Sequence, residues 1–241
     1  MSAVLDPPTV TPRPAARSIR TALAEVIATV PPGEQVLFTG LRWADYQFVL
    51  RECEAQGRRP RITYDRGSLA LMPTSNIHEF WKKMLSFLVE LYAMETGGRM
   101  SGLGNWTIAR EDLDRGFEPD ECFYIQNIDI AVKRKHRLDL ATDPPPDLAI
   151  EIEVSRSVLP RLPVMDAFKV PEVWRFDGDA LTCLVLQPNG TYQPAATSVA
   201  FPALPLAELV RFVKSAEGTD QISVARQFRD WVQAGMPAGG N

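Results

Sequence analysis

The chain has 241 residues, 45% of them apolar and 23% charged, enough to bury a sizeable core in an ordinary globular protein. Its net charge of −4 excludes a strongly basic nucleic-acid binder, but not a cleft that is basic locally. No apolar run approaches the ~20 residues of a membrane helix, and the N-terminus has no signal-peptide pattern, so the sequence reads as a soluble, cytoplasmic protein.

Residues 1–17 hold Pro7, Pro8, Pro12 and Pro14 among small and polar residues and read as a disordered arm. A helix over Ser18 to Val30 ends at Pro31-Pro32-Gly33, and Val36-Leu37-Phe38 reads as a strand. Thr39 is placed to cap a helix with Trp43, Tyr46, Val49 and Leu50 on one face, stopping near Gly57. Arg61 to Tyr64 and Ser68 to Met72 form a hairpin around Asp65-Arg66-Gly67. Pro73 to Asn76 can cap a long helix from Ile77 to Thr96, with Phe80, Met84, Phe87, Leu88 and Leu91 as its buried stripe and Gly97-Gly98 as its stop.

Beyond it, Asn105 to Ile108 reads as a strand, Arg110 to Gly116 as a charged connection, and Asn127 to Pro146 as a polar loop. The basic cluster Lys133, Arg134, Lys135, His136 and Arg137 in that loop either touches nucleic acid or is simply solvated. A helix over Val158 to Lys169 precedes a three-stranded meander: Val173 to Phe176, Leu181 to Leu186 and Thr191 to Gln193. Helices over Leu206 to Ser215 and Asp220 to Ala234 close the chain. Cys53, Cys122 and Cys183 lack metal-ligand spacing and read as reduced thiols. The domain reading is an arm at 1–17, a folded domain at 18–217 and a C-terminal helix and tail at 218–241. The expected class is α/β in the broad sense, of α+β type, with a mixed β-sheet flanked by helices.

The chemistry concentrates between Glu118 and Glu153. Glu118-Pro119-Asp120 opens one strand, and in Leu148-Ala149-Ile150-Glu151-Ile152-Glu153-Val154 apolar residues alternate with Glu151 and Glu153. Alternation puts both carboxylates on one face and the apolar residues in a core. Asp120 and Glu151 on neighbouring strands would offer hard oxygen ligands to a divalent cation such as Mg²⁺; the other reading is paired carboxylates on an exposed strand. Glu79, in the first turn of the long helix, either favours the helix dipole or adds a carboxylate to that site. His78 beside it is either incidental or approaches a substrate phosphate.

Several separated motifs, in this order, carry a resemblance. They are Tyr64 to Leu69, Met72 to Ser75 with His78-Glu79, Glu118-Pro119-Asp120, Pro146-Asp147-Leu148-Ala149-Ile150-Glu151, and Val170 to Gly178. Over about Thr39 to Phe212 the chain resembles the Uma-two family of restriction-endonuclease-like proteins, in the PD-(D/E)xK nuclease superfamily. The resemblance implies a restriction-endonuclease-like core, with extra helices at both ends here, and Mg²⁺-dependent endonuclease cleavage of DNA. Mn²⁺ is a second candidate ion. By position, Asp120 and Glu151 match metal ligands and Glu79 matches a further acidic position. The superfamily lysine position, two residues after Glu151, holds Glu153. The place to which family members move the lysine holds Arg161.

Arginine stays protonated and cannot act as a general base, so Arg161 would supply electrostatics as a phosphate clamp. The expected site is therefore Asp120, Glu151, Glu153 and Arg161 as catalytic residues. Glu79, Asp120 and Glu151 would hold the metal, and His78 and Arg161 would face the substrate. A homodimer suits cleavage of two antiparallel strands. The alternative, from the missing strand lysine, is a catalytically inactive nuclease-fold protein serving as a binding or oligomerisation module.

Overall fold

Turn chemistry and apolar periodicity set most element ends in the computed structural model, which describes residues 18–134, 138–155 and 157–236. The proline-rich arm and Lys135, His136 and Arg137 of the basic cluster lie outside the described residues. The chain runs α1 (Ile19–Thr29), β1 (Val36–Phe38), α2 (Trp43–Ala55), β2 (Arg61–Asp65), β3 (Ser68–Met72) and α3 (Asn76–Glu95). Short strands β4 (Ser101–Gly102), β5 (Ile108–Arg110), β6 (Arg115–Phe117) and β7 (Glu121–Tyr124) follow, then α4 (Ile128–Arg134). The second half holds β8 (Leu148–Ile152), α5 (Leu162–Ala167), β9 (Glu172–Phe176), β10 (Leu181–Leu186), β11 (Tyr192–Ala195), α6 (Leu206–Ser215) and α7 (Gln221–Gln233).

The helix caps follow the sequence. The Ser18, Ser75 and Asp220 side chains accept backbone N–H groups of the first turns of α1, α3 and α7. The β2–β3 turn places Arg66 at φ 44° and Gly67 at φ 87°, the paired positive values of a tight hairpin turn. Thr39 does not cap α2. Leu41 N–H still bonds to the Gly67 carbonyl, so the chain stays on the hairpin until Arg42, whose own N–H is taken by the Asp45 carboxylate.

Two sheets form instead of one. β1-β3-β2-β6-β5 is wholly antiparallel, and β11-β10-β9-β8-β7-β4 is mixed, with β8 and β9 its parallel pair. The charged connection expected over Arg110 to Gly116 contains the β5–β6 turn, with Asp114 at φ 50°. The strand expected at Asn105 begins only at Ile108. The loop expected after Asn127 contains α4, and the helix expected over Val158 to Lys169 shrinks to α5, with Pro163 in its first turn, where a missing N–H costs nothing.

Three apolar clusters tie these layers together. α1 and α2 cover one face of the five-stranded sheet through Leu23, Ile27, Tyr46 and Val49. α3, α6 and α7 cover the mixed sheet, where Leu88, Phe212 and Phe228 join a core with Ile150, Ile152 and Trp174. Between the sheets, Ile108 and Phe117 meet Ala149 and Val173, with Val164 and Met165 of α5 alongside. β8 is thus buried on both faces, so Glu151 looks across at the other sheet and not at solvent.

Candidate functional site

Where the two sheets meet, five buried polar side chains converge: Arg61 from the start of β2, His78 from the first turn of α3, Asp120 just before β7, Glu151 on β8 and Arg161 just before α5. Antiparallel pairing of β7 with β8, Glu121 opposite Ile150, brings Asp120 beside the end of β8. There Ile152 N–H donates to Asp120 Oδ2 at 2.7 Å. Asp120 Oδ1 lies 3.1 Å from Arg61 Nε and 3.2 Å from His78 Nε2.

Glu151 is held from two sides. Arg161 approaches it with Nη2 at 2.9 Å from Oε1 and Nε at 2.9 Å from Oε2. Arg61 Nη2 donates to Oε2, and Arg61 Nη1 donates to the Ile152 carbonyl at 3.0 Å. Arg161 also reaches the Thr63 hydroxyl at 2.6 Å and the Glu118 carbonyl. Two carboxylates and two guanidinium groups therefore balance in charge, which is what keeps such groups tolerable away from water. Burial pushes the Asp120 carboxyl up, but Arg61, His78 and Arg161 pull it further down, leaving it below the usual carboxylate range. Burial likewise opposes the Arg61 charge, yet Glu151 and Asp120 hold its pKa above the ordinary value.

The remaining expected residues stand outside this cluster. Glu79 is half exposed and touches it through His78, with Oε1 3.3 Å from Nδ1; its other oxygen lies 3.7 Å from Lys82 Nζ. A neutral imidazole donates to Glu79 or Asp120 but not to both. Glu153 follows the last residue of β8, its N–H bonded to the Phe176 carbonyl and its carboxylate paired with Arg175. The structure thus brings Asp120, Glu151, Arg161 and His78 together and leaves Glu79 and Glu153 at the margin.

Arg61 was not singled out from sequence, though an arginine opening an otherwise apolar strand, Arg61-Ile62-Thr63-Tyr64, is the pattern that marks it. A narrow crevice lined by Arg59, Glu79, Lys82, Glu118 and Asp120 opens from the cluster to the surface.

The family model Uma2, described as "Putative restriction endonuclease", matches residues 43–215, more than half of the chain. The chain belongs to the Uma2 family. No curated protein matches it. A crystal structure of a putative nuclease from Anabaena variabilis is similar at 15% identity, over 69% of this Uma2 chain and 92% of that chain, with a TM-score of 0.38. Membership in Uma2 supports nuclease function for the chain.

The nuclease reading brings a divalent cation with it, so the fit matters. Among the described residues no group of three or more His, Cys, Asp and Glu side chains is arranged to hold a metal ion. Asp120 Oδ2 and both Glu151 oxygens accept hydrogen bonds, Asp120 Oδ1 lies at ion-pair distance from Arg61 Nε and His78 Nε2, and the guanidinium of Arg61 stands between the two carboxylates. As arranged, these residues do not fit Mg²⁺ or Mn²⁺. No helix among the described residues is long and apolar enough to cross a membrane.

Proposed function

We propose that this Uma2 chain is an endonuclease that hydrolyses phosphodiester bonds in DNA at the Asp120, Glu151 and Arg161 cluster. One observation carries the reading: two acidic side chains from separate motifs meet at the end of adjacent strands, with an arginine on the same carboxylate. The crevice beside them carries Arg59 and Lys82, cations suited to phosphate oxygens. In this reading Arg161 stabilises charge on phosphorus when it leaves Glu151. His78, poised against Asp120, holds or relays a proton at Nε2. Glu79 and Glu153 tune the charge at the margin.

The superfamily resemblance implies dependence on Mg²⁺ or Mn²⁺ with Glu79, Asp120 and Glu151 as ligands, but as arranged these side chains do not fit such an ion and would have to give up Arg61 to hold one. Because Arg61 fills the gap between the carboxylates, no step is routed through an ion. A homodimer, placing two such clusters on opposite DNA strands, belongs to the same proposal.

The test is nicking of supercoiled plasmid by pure protein with Mg²⁺ or Mn²⁺, beside Asp120→Ala and Glu151→Ala. Cleavage that needs both side chains supports the reading, and cleavage that survives both substitutions ends it. Arg61 favours one second reading, a nuclease-fold protein without catalysis that binds nucleic acid or a second copy. For that reading, plasmid stays intact under both metals while DNA binding or self-association persists.

A further inference from the structure

The cavity next to the cluster is not used by the chemistry above. It has a volume of about 380 Å³ and lies between the end of α2 and the start of β2. Leu50 and Ile62 give it an apolar floor, while Asn105, Thr107 and Glu118 set hydrogen-bonding groups in its wall. Arg51 and Arg59 stand exposed at its edge, outnumbering the exposed Glu54 that also lines it, and Arg51 has no carboxylate partner among the described residues. Arg59, Asn105 and Glu118 line both this cavity and the crevice above Asp120, so the two spaces share a wall.

That combination suits one class of ligand. An apolar floor with donors and acceptors along one side accepts the face and edge of a nucleobase, and paired cations at the rim accept its phosphates. We propose that this cavity takes an unstacked nucleobase of a single DNA strand, with Arg59 holding the phosphate between that nucleoside and the one presented to Asp120. Asn105 and Glu118 then read the base edge. The Thr107 hydroxyl donates to Glu118 Oε1 at 2.7 Å, leaving the other carboxylate oxygen to accept from the base edge. A base in a stacked duplex cannot reach such a cavity without being extruded, so the strand must be single or locally opened. The proposal rests on the nuclease reading for its substrate, but it is tested by binding alone.

The experiment is fluorescence anisotropy with a labelled single-stranded deoxyoligonucleotide in EDTA, where no metal-dependent cutting occurs. Arg59 and Asn105 are exposed, so Arg59→Glu and Asn105→Trp should leave the fold intact, checked by thermal melting. Each is expected to weaken binding about ten-fold or more, whereas Arg226→Glu, on α7, leaves it unchanged. Arg59→Glu also flattens the salt dependence, because a phosphate contact is lost. A duplex of the same sequence competes less well than the single strand.

Wild-type affinity in both cavity variants would overturn the proposal. So would an equal loss in Arg226→Glu, equal competition by duplex, or no binding by the wild type. Plasmid nicking is scored separately. Cavity-dependent binding without nicking refutes the nuclease reading and leaves the cavity assignment standing, while nicking without cavity dependence does the reverse.

Discussion

Arg161 closes a two-point clamp on Glu151, with Nη2 2.9 Å from Oε1 and Nε 2.9 Å from Oε2. Both partners are buried, so the clamp is worth most where one half is removed. Deleting one member of a buried ion pair strands the other charge away from water, at a cost of about 3–5 kcal/mol. Glu151→Ala strands Arg161 and leaves Arg61 with Asp120 as its carboxylate partner. Urea unfolding should show a loss in that range or above it, with Glu151→Gln losing less because its amide oxygen still accepts. A loss under ~1 kcal/mol for the alanine variant would mean that water reaches the cluster.

Asp120 gives the cluster a pH signature. Its carboxyl is held below the usual range in the fold: burial raises it, and Arg61 and His78 more than reverse that. A depressed folded pKa contributes stability that is fully present above the unfolded value, about 3.9, and is lost as pH falls through the folded value. Unfolding free energy measured between pH 2 and pH 7 should therefore fall more steeply below about pH 4 in the wild type than in Asp120→Asn. Parallel acid limbs in the two proteins would contradict the depressed value.

How much of this was legible beforehand depends on range. Local signals placed α3, the β2–β3 hairpin and α7, because caps, turn residues and apolar periodicity act within a few residues. The motifs also nominated Asp120, Glu151 and Arg161, which the fold gathers. Arg61 was missed because its partners, Asp120 and Glu151, are remote in sequence, and no spacing rule links them. Glu153 stands at the margin of the cluster for a related reason. Alternation put it on the face of Glu151, but β8 ends at Ile152 and Arg175 of the neighbouring strand captures its carboxylate. The second sheet was hidden in β5 and β6, three residues each, too short for an alternation pattern to register.

Gly116, in β6, reports on how tightly α2 packs over that sheet. A methyl group there would lie 2.3 Å from Tyr46 Oη and 2.7 Å from Cζ, inside any tolerable contact. Tyr46 is held by stacking on Tyr64, with ring centroids 4.9 Å apart and planes at 10°, and cannot retreat cheaply. Gly116→Ala should destabilise the protein by roughly 1–3 kcal/mol, as overpacking of a filled core does. Tyr46→Phe, removing a buried hydroxyl that has no hydrogen-bond partner among the described residues, should be neutral or stabilising. Thermal melts of the two variants check both, and a stable Gly116→Ala would show the α2 interface to be loose.

Arg61 decides what else the carboxylates can hold. Its guanidinium contacts Asp120 through Nε and Glu151 through Nη2, so any cation bridging those two side chains must first displace it. Replacing Arg61 with glutamine removes the positive charge while keeping a polar group that can still meet the Ile152 carbonyl. Two carboxylates left with Arg161 as their remaining guanidinium attract a divalent ion more strongly. Mn²⁺ titration followed by electron paramagnetic resonance should show Arg61→Gln binding at least about ten-fold more tightly than the wild type, a difference of ~1.4 kcal/mol. Adding Asp120→Asn to Arg61→Gln should abolish the gain. Equal Mn²⁺ affinity in wild type and Arg61→Gln, sensitive in both to Asp120→Asn, would instead mean that Arg61 yields to the ion at no measurable cost.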